Sequence, residues 1–273
     1  MPELQASSPF DMRVNLSENM PDVTVRQAMA SGDLGFIHSY TTGSTVDGPG
    51  VRVVVWMAGC MWQCQYCHNP DTWNTKNGIP VTVERAAEEL SKYKEGLKVM
   101  HGGLTLSGGE PLLQHRFAVR LLRAARQMGI HTTLETNGYF SEKVSDPELE
   151  DIDLVMLGIK TWGAERHRKL TGMDPEPTLK FAQRLGRLKK PIWVRFVLVP
   201  GLTDSQEILE GIAGFAAELG NVERVEVLPF HQMGRYKWKE LKMDYKLEGV
   251  ESPNEEACRK ACAVFRAAGL RAM

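Results

Sequence analysis

The sequence predicts an α/β fold, a partial (β/α)6 barrel with a mostly parallel sheet, and three observations carry that expectation. Short apolar runs rich in Val, Ile and Leu recur along the chain. Between them lie longer segments whose apolar residues follow helical spacing, so strands alternate with helices and join by right-handed crossovers. Polar and glycine-rich stretches follow the apolar runs, which gathers them at the carboxyl ends of the strands, where such folds bind ligands.

Residues 1–34 stand apart as an N-terminal extension. Pro2, Pro9, Pro21 and several serines, with few large apolar residues, predict a loosely ordered arm containing a short helix near 22–29 closed by Gly32. Strands are expected at 36–40 and 51–56. They are joined through Thr45-Val46-Asp47-Gly48-Pro49-Gly50, where Gly-Pro-Gly forces a turn and admits a ligand close to the backbone. A helix is expected over 83–94, with Thr82 as its N-cap. A strand at 103–106 runs into Ser107-Gly108-Gly109-Glu110-Pro111, and a helix over 117–128 ends at Gly129. Further strands are expected at 131–135, 154–159, 192–199 and 222–228, with helices at 179–188 and 208–219. An irregular, aromatic-rich section at 229–253 precedes a last helix at 255–268.

The bulk numbers exclude several classes. With 33 basic against 34 acidic residues there is no overall field for nucleic acid or an anionic membrane. No apolar run is long enough to cross a bilayer, and residues 1–20 lack the apolar core of a secretory signal. A cytoplasmic protein with no nucleic-acid or membrane partner is expected, and no linker divides residues 35–273. Five cysteines, three of them clustered, make a poor disulfide framework.

Those three lie in Cys60-Met61-Trp62-Gln63-Cys64-Gln65-Tyr66-Cys67, directly after the second expected strand. A structural zinc site closes with four protein ligands, and the one candidate nearby, His68, is adjacent to Cys67 and hard to bring onto the same tetrahedron. Three thiolates fit better to a [4Fe–4S] cubane whose fourth iron stays open for a chelating cosubstrate. Zinc remains the alternative. Cys258 and Cys262, four apart on the last helix, read as packing residues.

Cys60-x-x-x-Cys64-x-x-Cys67 after a first strand, with Ser-Gly-Gly-Glu-Pro after a second, resembles the radical S-adenosylmethionine superfamily. Thr45 to Arg52 and Tyr66-Cys67-His68-Asn69-Pro70-Asp71-Thr72-Trp73 narrow the resemblance to activating enzymes of glycyl-radical enzymes. So do Asp153-Leu154-Val155-Met156-Leu157, Val199-Pro200-Gly201, Glu226-Val227-Leu228-Pro229-Phe230-His231 and Tyr245-Lys246-Leu247-Glu248-Gly249. Among those enzymes the family that activates pyruvate formate-lyase is the best match. The resemblance runs from about residue 35 to the end and makes 35–273 the catalytic domain.

The resemblance implies that Cys60, Cys64 and Cys67 hold the cluster and that S-adenosylmethionine chelates the open iron. Reductive cleavage would give methionine and a 5′-deoxyadenosyl radical, which takes a hydrogen from a glycine of pyruvate formate-lyase. It further implies that Gly108 and Gly109 admit the methionine moiety and that Glu110 orients the loop or the amino group. Lys160 would pair with the carboxylate, with Gly158 and Ile159 beside it, and His231 would bind the ribose or carboxylate. Tyr66 and His68 would flank the cluster, and Asp47 and Gly48 would hold the substrate peptide. A flavodoxin or ferredoxin is the implied electron donor, and the chain is expected to be a monomer.

One departure stands out. The family usually has Asp where this chain has Glu135 and again where it has Gly158. With Thr136 and the Met156 carbonyl, those carboxylates would hold a monovalent cation, so a weakened or rearranged cation site is expected here. The rival readings are an activase for another glycyl-radical enzyme, a radical enzyme acting on a small molecule and a zinc-stabilised binding module. No cysteine falls between Cys67 and Cys258, which favours a single-cluster activase.

Overall fold

The structure, a computed structural model, describes residues 22–273. The expectation of a loosely ordered arm falls, for residues 1–21, outside the described residues. Residues 22–31 form helix α1 (Asp22–Ser31), followed directly by β1 (Leu34–Ser44) and β2 (Arg52–Met57). Strand β3 (Ile79–Thr82) and helices α2 (Val83–Ser91) and α3 (Lys94–Val99) lead to β4 (Gly103–Gly108). Then come α4 (His115–Gln127), β5 (His131–Thr136), α5 (Asp146–Leu149) and β6 (Leu154–Gly158). Helices α6 (Ala164–Thr171) and α7 (Glu176–Arg187) precede β7 (Ile192–Leu198), and α8 (Gln206–Leu219) precedes β8 (Val222–Pro229). Two helices, α9 (Arg235–Glu240) and α10 (Glu255–Ala267), complete the described elements.

The eight strands make one sheet in the order β3-β1-β2-β4-β5-β6-β7-β8. From β2 through β4 to β8 every pairing is parallel, while β1 runs antiparallel to both β2 and β3. The six parallel strands with their crossover helices are the partial barrel that the alternation predicts. No helix among the described residues is long and apolar enough to cross a membrane.

Alternation along the strands sorts the side chains. Leu104, Leu106, Leu134, Val155, Leu157, Val194 and Phe196 join the main core with the surrounding helices. Leu154, Met156 and Trp193 form a separate small apolar cluster, and Arg52 is wholly buried beside Thr105 and Thr133. The inner residues nearer the carboxyl ends are polar and line a cavity.

The local signals read from sequence work as their chemistry requires. Thr82 caps α2 by accepting from the Arg85 N–H at 3.2 Å, and Gly129 adopts φ +73° just past α4. Helix α1 is fastened to α4, where Arg120 pairs with Asp33 at 2.7 Å. Four features differ from expectation. Strand β1 extends to Ser44 because its polar outer half pairs with apolar β2, and the Trp56 indole donates to Thr41 Oγ1 at 2.8 Å. Strand β3 exists through pairing with β1 alone. The helix expected over 83–94 ends at Ser91, and α3 begins at Lys94. Helices α6 and α9 are too short and too polar to show periodicity.

Candidate active site

The cysteine loop leaves the carboxyl end of β2 and is fixed from three sides. The Gly59 and Cys60 N–H groups donate to the carbonyls of Thr72 and Trp73 at 2.6 and 3.0 Å. The carboxyl end of α6 holds the middle of the loop, where the Gln63 and Gln65 N–H groups donate to Thr171 and Leu170. On the third side the Trp238 indole of α9 donates to the Cys67 carbonyl at 2.8 Å and packs edge-on against Trp73. Two helices missed in sequence, α6 and α9, therefore shape this loop.

All three thiols face one cavity, together with Tyr66, His68, Gly108, Gly109, Thr136, Gly158 and Lys160. Burial pushes the Cys64 thiol up to about 12 and raises Cys60 and Cys67 as well. The thiols are therefore protonated until a cationic group binds them and releases those protons. Among the described residues no three His, Cys, Asp or Glu side chains converge as the ligands of one ion do. Two buried polar atoms of cavity-lining residues, the Tyr66 hydroxyl and the Trp62 indole N–H, lack a protein partner among the described residues.

Gly108, which ends β4, and Gly109 line the cavity and also have a packing reason. A Cβ on Gly108, at φ +112°, would lie 2.3 Å from the Met57 nitrogen, and one on Gly109 would lie 2.4 Å from the Gly59 carbonyl. Both let this loop press against the backbone that carries the cysteines. Glu110 is buried behind them, outside the cavity lining. Its carboxylate accepts from the Leu112 N–H (2.8 Å), the Thr136 hydroxyl (2.6 Å) and the Asn137 N–H (2.7 Å), which joins the β4 and β5 loops. Burial raises this carboxyl to about 7 against those three donors. Glu110→Gln sets an amide NH2 against one of the two backbone donors in either orientation. The expected loss is about 1–3 kcal/mol of stability, measured by anaerobic denaturant unfolding; an unchanged midpoint would contradict this role.

Other sequence-derived candidates fall at different depths. The His68 and His231 rings stack with centroids 4.0 Å apart, His68 lining the cavity and His231 behind it. Burial lowers His68 from its ordinary value, and the neighbouring His231 adds to the effect. Ile159 and Met156 are buried in β6 and its extension, away from the cavity lining. Asp47 and Gly48 reach the barrel from the other end, through the β1–β2 connection. The Asp47 carbonyl accepts from Thr105 at 2.6 Å, and its carboxylate accepts from Ser44 at 2.5 Å.

With that geometry described, comparison with known proteins narrows the chemistry. A family model described as a 4Fe-4S single cluster domain matches residues 46–163. The pyruvate formate-lyase 1-activating enzyme of Escherichia coli is 40% identical over 242 residues, covering 88% of this chain and 98% of that protein. The corresponding enzyme of Listeria monocytogenes is 44% identical over 230 residues, covering 82% and 92%. The chain belongs to the pyruvate formate-lyase-activating enzyme family. A radical SAM methyltransferase from Sphaerobacter thermophilus shares the fold, with a TM-score of 0.58 at 15% identity over 93% of this chain and 81% of that one.

Within this family member the residue that sequence reasoning missed is Arg195. It lines the cavity from the middle of β7 and donates to Glu135 at 2.7 Å and to Glu226 at 2.9 Å. It also lies 3.5 Å from Asp47 and donates to the Val46 carbonyl, which ties the β1–β2 connection to the cavity wall. The signal was present: Arg195 is the lone charge in Ile-Trp-Val-Arg-Phe-Val-Leu. Burial alone would raise the Glu135 carboxyl, but Arg195 and the Ser107 hydroxyl hold it below its ordinary value.

The donor set fits the cluster and S-adenosylmethionine but not the cation. Cys60, Cys64 and Cys67 line one space, and an iron–sulfur cluster is held by cysteine thiolates. For a monovalent cation, position 158 offers no side chain, and both Glu135 oxygens are already engaged.

Proposed function

We propose that this protein generates the glycyl radical of pyruvate formate-lyase by reductive cleavage of S-adenosylmethionine. The observation that carries the reading is the meeting of Cys60, Cys64 and Cys67 with Lys160 and the Ser107-Gly108-Gly109 loop around one cavity, in a chain of this family. When bound, the reduced [4Fe–4S] cluster supplies the electron that splits S-adenosylmethionine into methionine and the 5′-deoxyadenosyl radical that oxidises the partner's glycine.

In this reading the cysteines hold the cluster, and Lys160 sets its ammonium against the methionine carboxylate. His68 and Tyr66 bound the adenosyl side, and the Tyr66 hydroxyl finds its partner there. His231 keeps the His68 ring in plane by stacking. Trp62 and Trp73 exclude water from the thiols. Asp47, buried and held near Arg195, braces from behind the wall beside which the glycine-bearing loop would lie. That loop can come close because glycine has no side chain to obstruct it. A flavodoxin or ferredoxin supplies the electron to a monomeric, cytoplasmic protein. All five cysteines are free, in keeping with a reducing compartment.

The test mixes the anaerobically reconstituted, reduced protein with S-adenosylmethionine and pyruvate formate-lyase. The expected result is a stable glycyl-radical doublet by electron paramagnetic resonance, with 5′-deoxyadenosine formed. Deoxyadenosine without the doublet would assign a different partner. A colourless protein holding one zinc and no iron would end the radical reading.

A further inference from the structure

Glu135 is placed to be a ligand for a small cation, yet both of its oxygens are occupied. Oε2 accepts from the Ser107 hydroxyl at 2.5 Å and Oε1 from the Arg195 guanidinium at 2.7 Å. Across from it, Gly158 sits directly beneath Lys160. A Cβ at position 158 would lie 2.7 Å from the Lys160 Nζ and 3.0 Å from its Cε. The space a second carboxylate would fill thus holds an ammonium. Thr136 has spent its hydroxyl proton on Glu110 at 2.6 Å and accepts from the Gly138 N–H at 2.8 Å. Met156, whose carbonyl would complete a cation's ligand set, pairs with both β5 and β7.

We propose that this chain dispenses with a diffusible monovalent cation beside the cavity and uses its own Arg195 and Lys160 in its place. The inference rests on the S-adenosylmethionine reading above. Arg195 neutralises Glu135, and Lys160 stands over Gly158. A potassium or sodium ion entering there would meet the Lys160 ammonium over Gly158 and a Glu135 carboxylate already paired with Arg195. Hard cations are held by several oxygen ligands; here position 158 supplies no carboxylate, and each Glu135 oxygen already accepts a hydrogen bond. Arg195 acts through Glu135 and is therefore a positioning residue. The exchange has a consequence for the β1–β2 connection. The same guanidinium that replaces the ion also approaches Asp47 and binds the Val46 carbonyl, so this wall is fastened whatever the salt.

The test uses the reconstituted holoenzyme in potassium, sodium or tetramethylammonium chloride at equal ionic strength. Three quantities are read: the equilibrium dissociation constant for S-adenosylmethionine, the rate of 5′-deoxyadenosine formation, and binding of thallium(I), a potassium surrogate, by 205Tl NMR with and without S-adenosylmethionine. The wild type is expected to vary by less than about twofold among the salts and to bind no thallium. Gly158→Asp restores a free carboxylate, and Lys160, a flexible chain end, yields to it. That variant is expected to bind S-adenosylmethionine about tenfold tighter in potassium than in tetramethylammonium, which is about 1.4 kcal/mol, and to bind thallium. Stoichiometric thallium binding by the wild type, or potassium activation equal to that of Gly158→Asp, would overturn the proposal. Absence of deoxyadenosine in every salt would instead sink the functional reading, and the thallium titration without S-adenosylmethionine would still decide the cation question.

Discussion

Changing any one of Cys60, Cys64 or Cys67 to alanine is expected to lower S-adenosylmethionine cleavage by at least ~10³-fold, or about 4 kcal/mol in the barrier. Iron retained after anaerobic reconstitution should fall with it. The reason is stoichiometric: these three thiols face the cavity, and no other cysteine stands near them. Cys258 and Cys262 lie on α10, where Cys262 packs in the main core with Cys258 against it. Alanine at 258 should therefore leave iron content and rate unchanged. Equal losses at 60 and 258, or full iron binding without Cys60, would remove the basis for the assignment.

Gly108→Ala is expected to be strongly destabilising. Its φ of +112° is one that side chains rarely adopt, a strain of about 1–3 kcal/mol. The new Cβ would also meet the Met57 nitrogen at 2.3 Å and the Met57 carbonyl oxygen at 2.4 Å. Both are backbone atoms of the neighbouring strand β2 and cannot rotate away. Overpacking of this kind adds about 1–3 kcal/mol. Gly214→Ala is the control, since a Cβ there meets nothing within 4 Å and the position is exposed in α8. It should stabilise by up to about 1 kcal/mol through helix propensity. Urea unfolding of the two variants checks both signs; a Gly108→Ala midpoint equal to wild type would refute the packing account.

These two predictions rest on different amounts of sequence. The cysteine prediction needs little more than the spacing of residues 60, 64 and 67, because ligand chemistry is carried by residue type and local separation. The glycine prediction was legible only in part. A Gly-Gly pair after a strand announces close approach, but not what approaches. Both glycines line the cavity, and the structure adds a second close neighbour, the backbone at Met57 and Gly59. For Glu110 the resemblance left the loop and the amino group open, and the structure shows a buried carboxylate accepting from three donors on two loops.

Short elements were the least legible. Strand β3 and helices α6 and α9 have no periodicity to detect, being four, eight and six residues long. They exist because of long-range partners. Strand β3 pairs with β1, the last carbonyls of α6 receive the N–H groups of Gln63 and Gln65, and the Trp238 of α9 reaches Cys67. Nothing local could reveal them, since the stabilising contact lies up to 171 residues away in the chain.

By itself, the sequence determined the alternation of strands and helices, the three-thiol motif and the loops that gather at the carboxyl ends of the parallel strands. Those follow from side-chain periodicity, turn chemistry and ligand type, all of which are local. Only the tertiary structure decided which charges face one another. Arg195 comes to Glu135, Glu226 and Asp47 from four separate segments, and Lys160 folds over Gly158. Coulomb energies depend on distance and burial, and neither is set by separation along the chain.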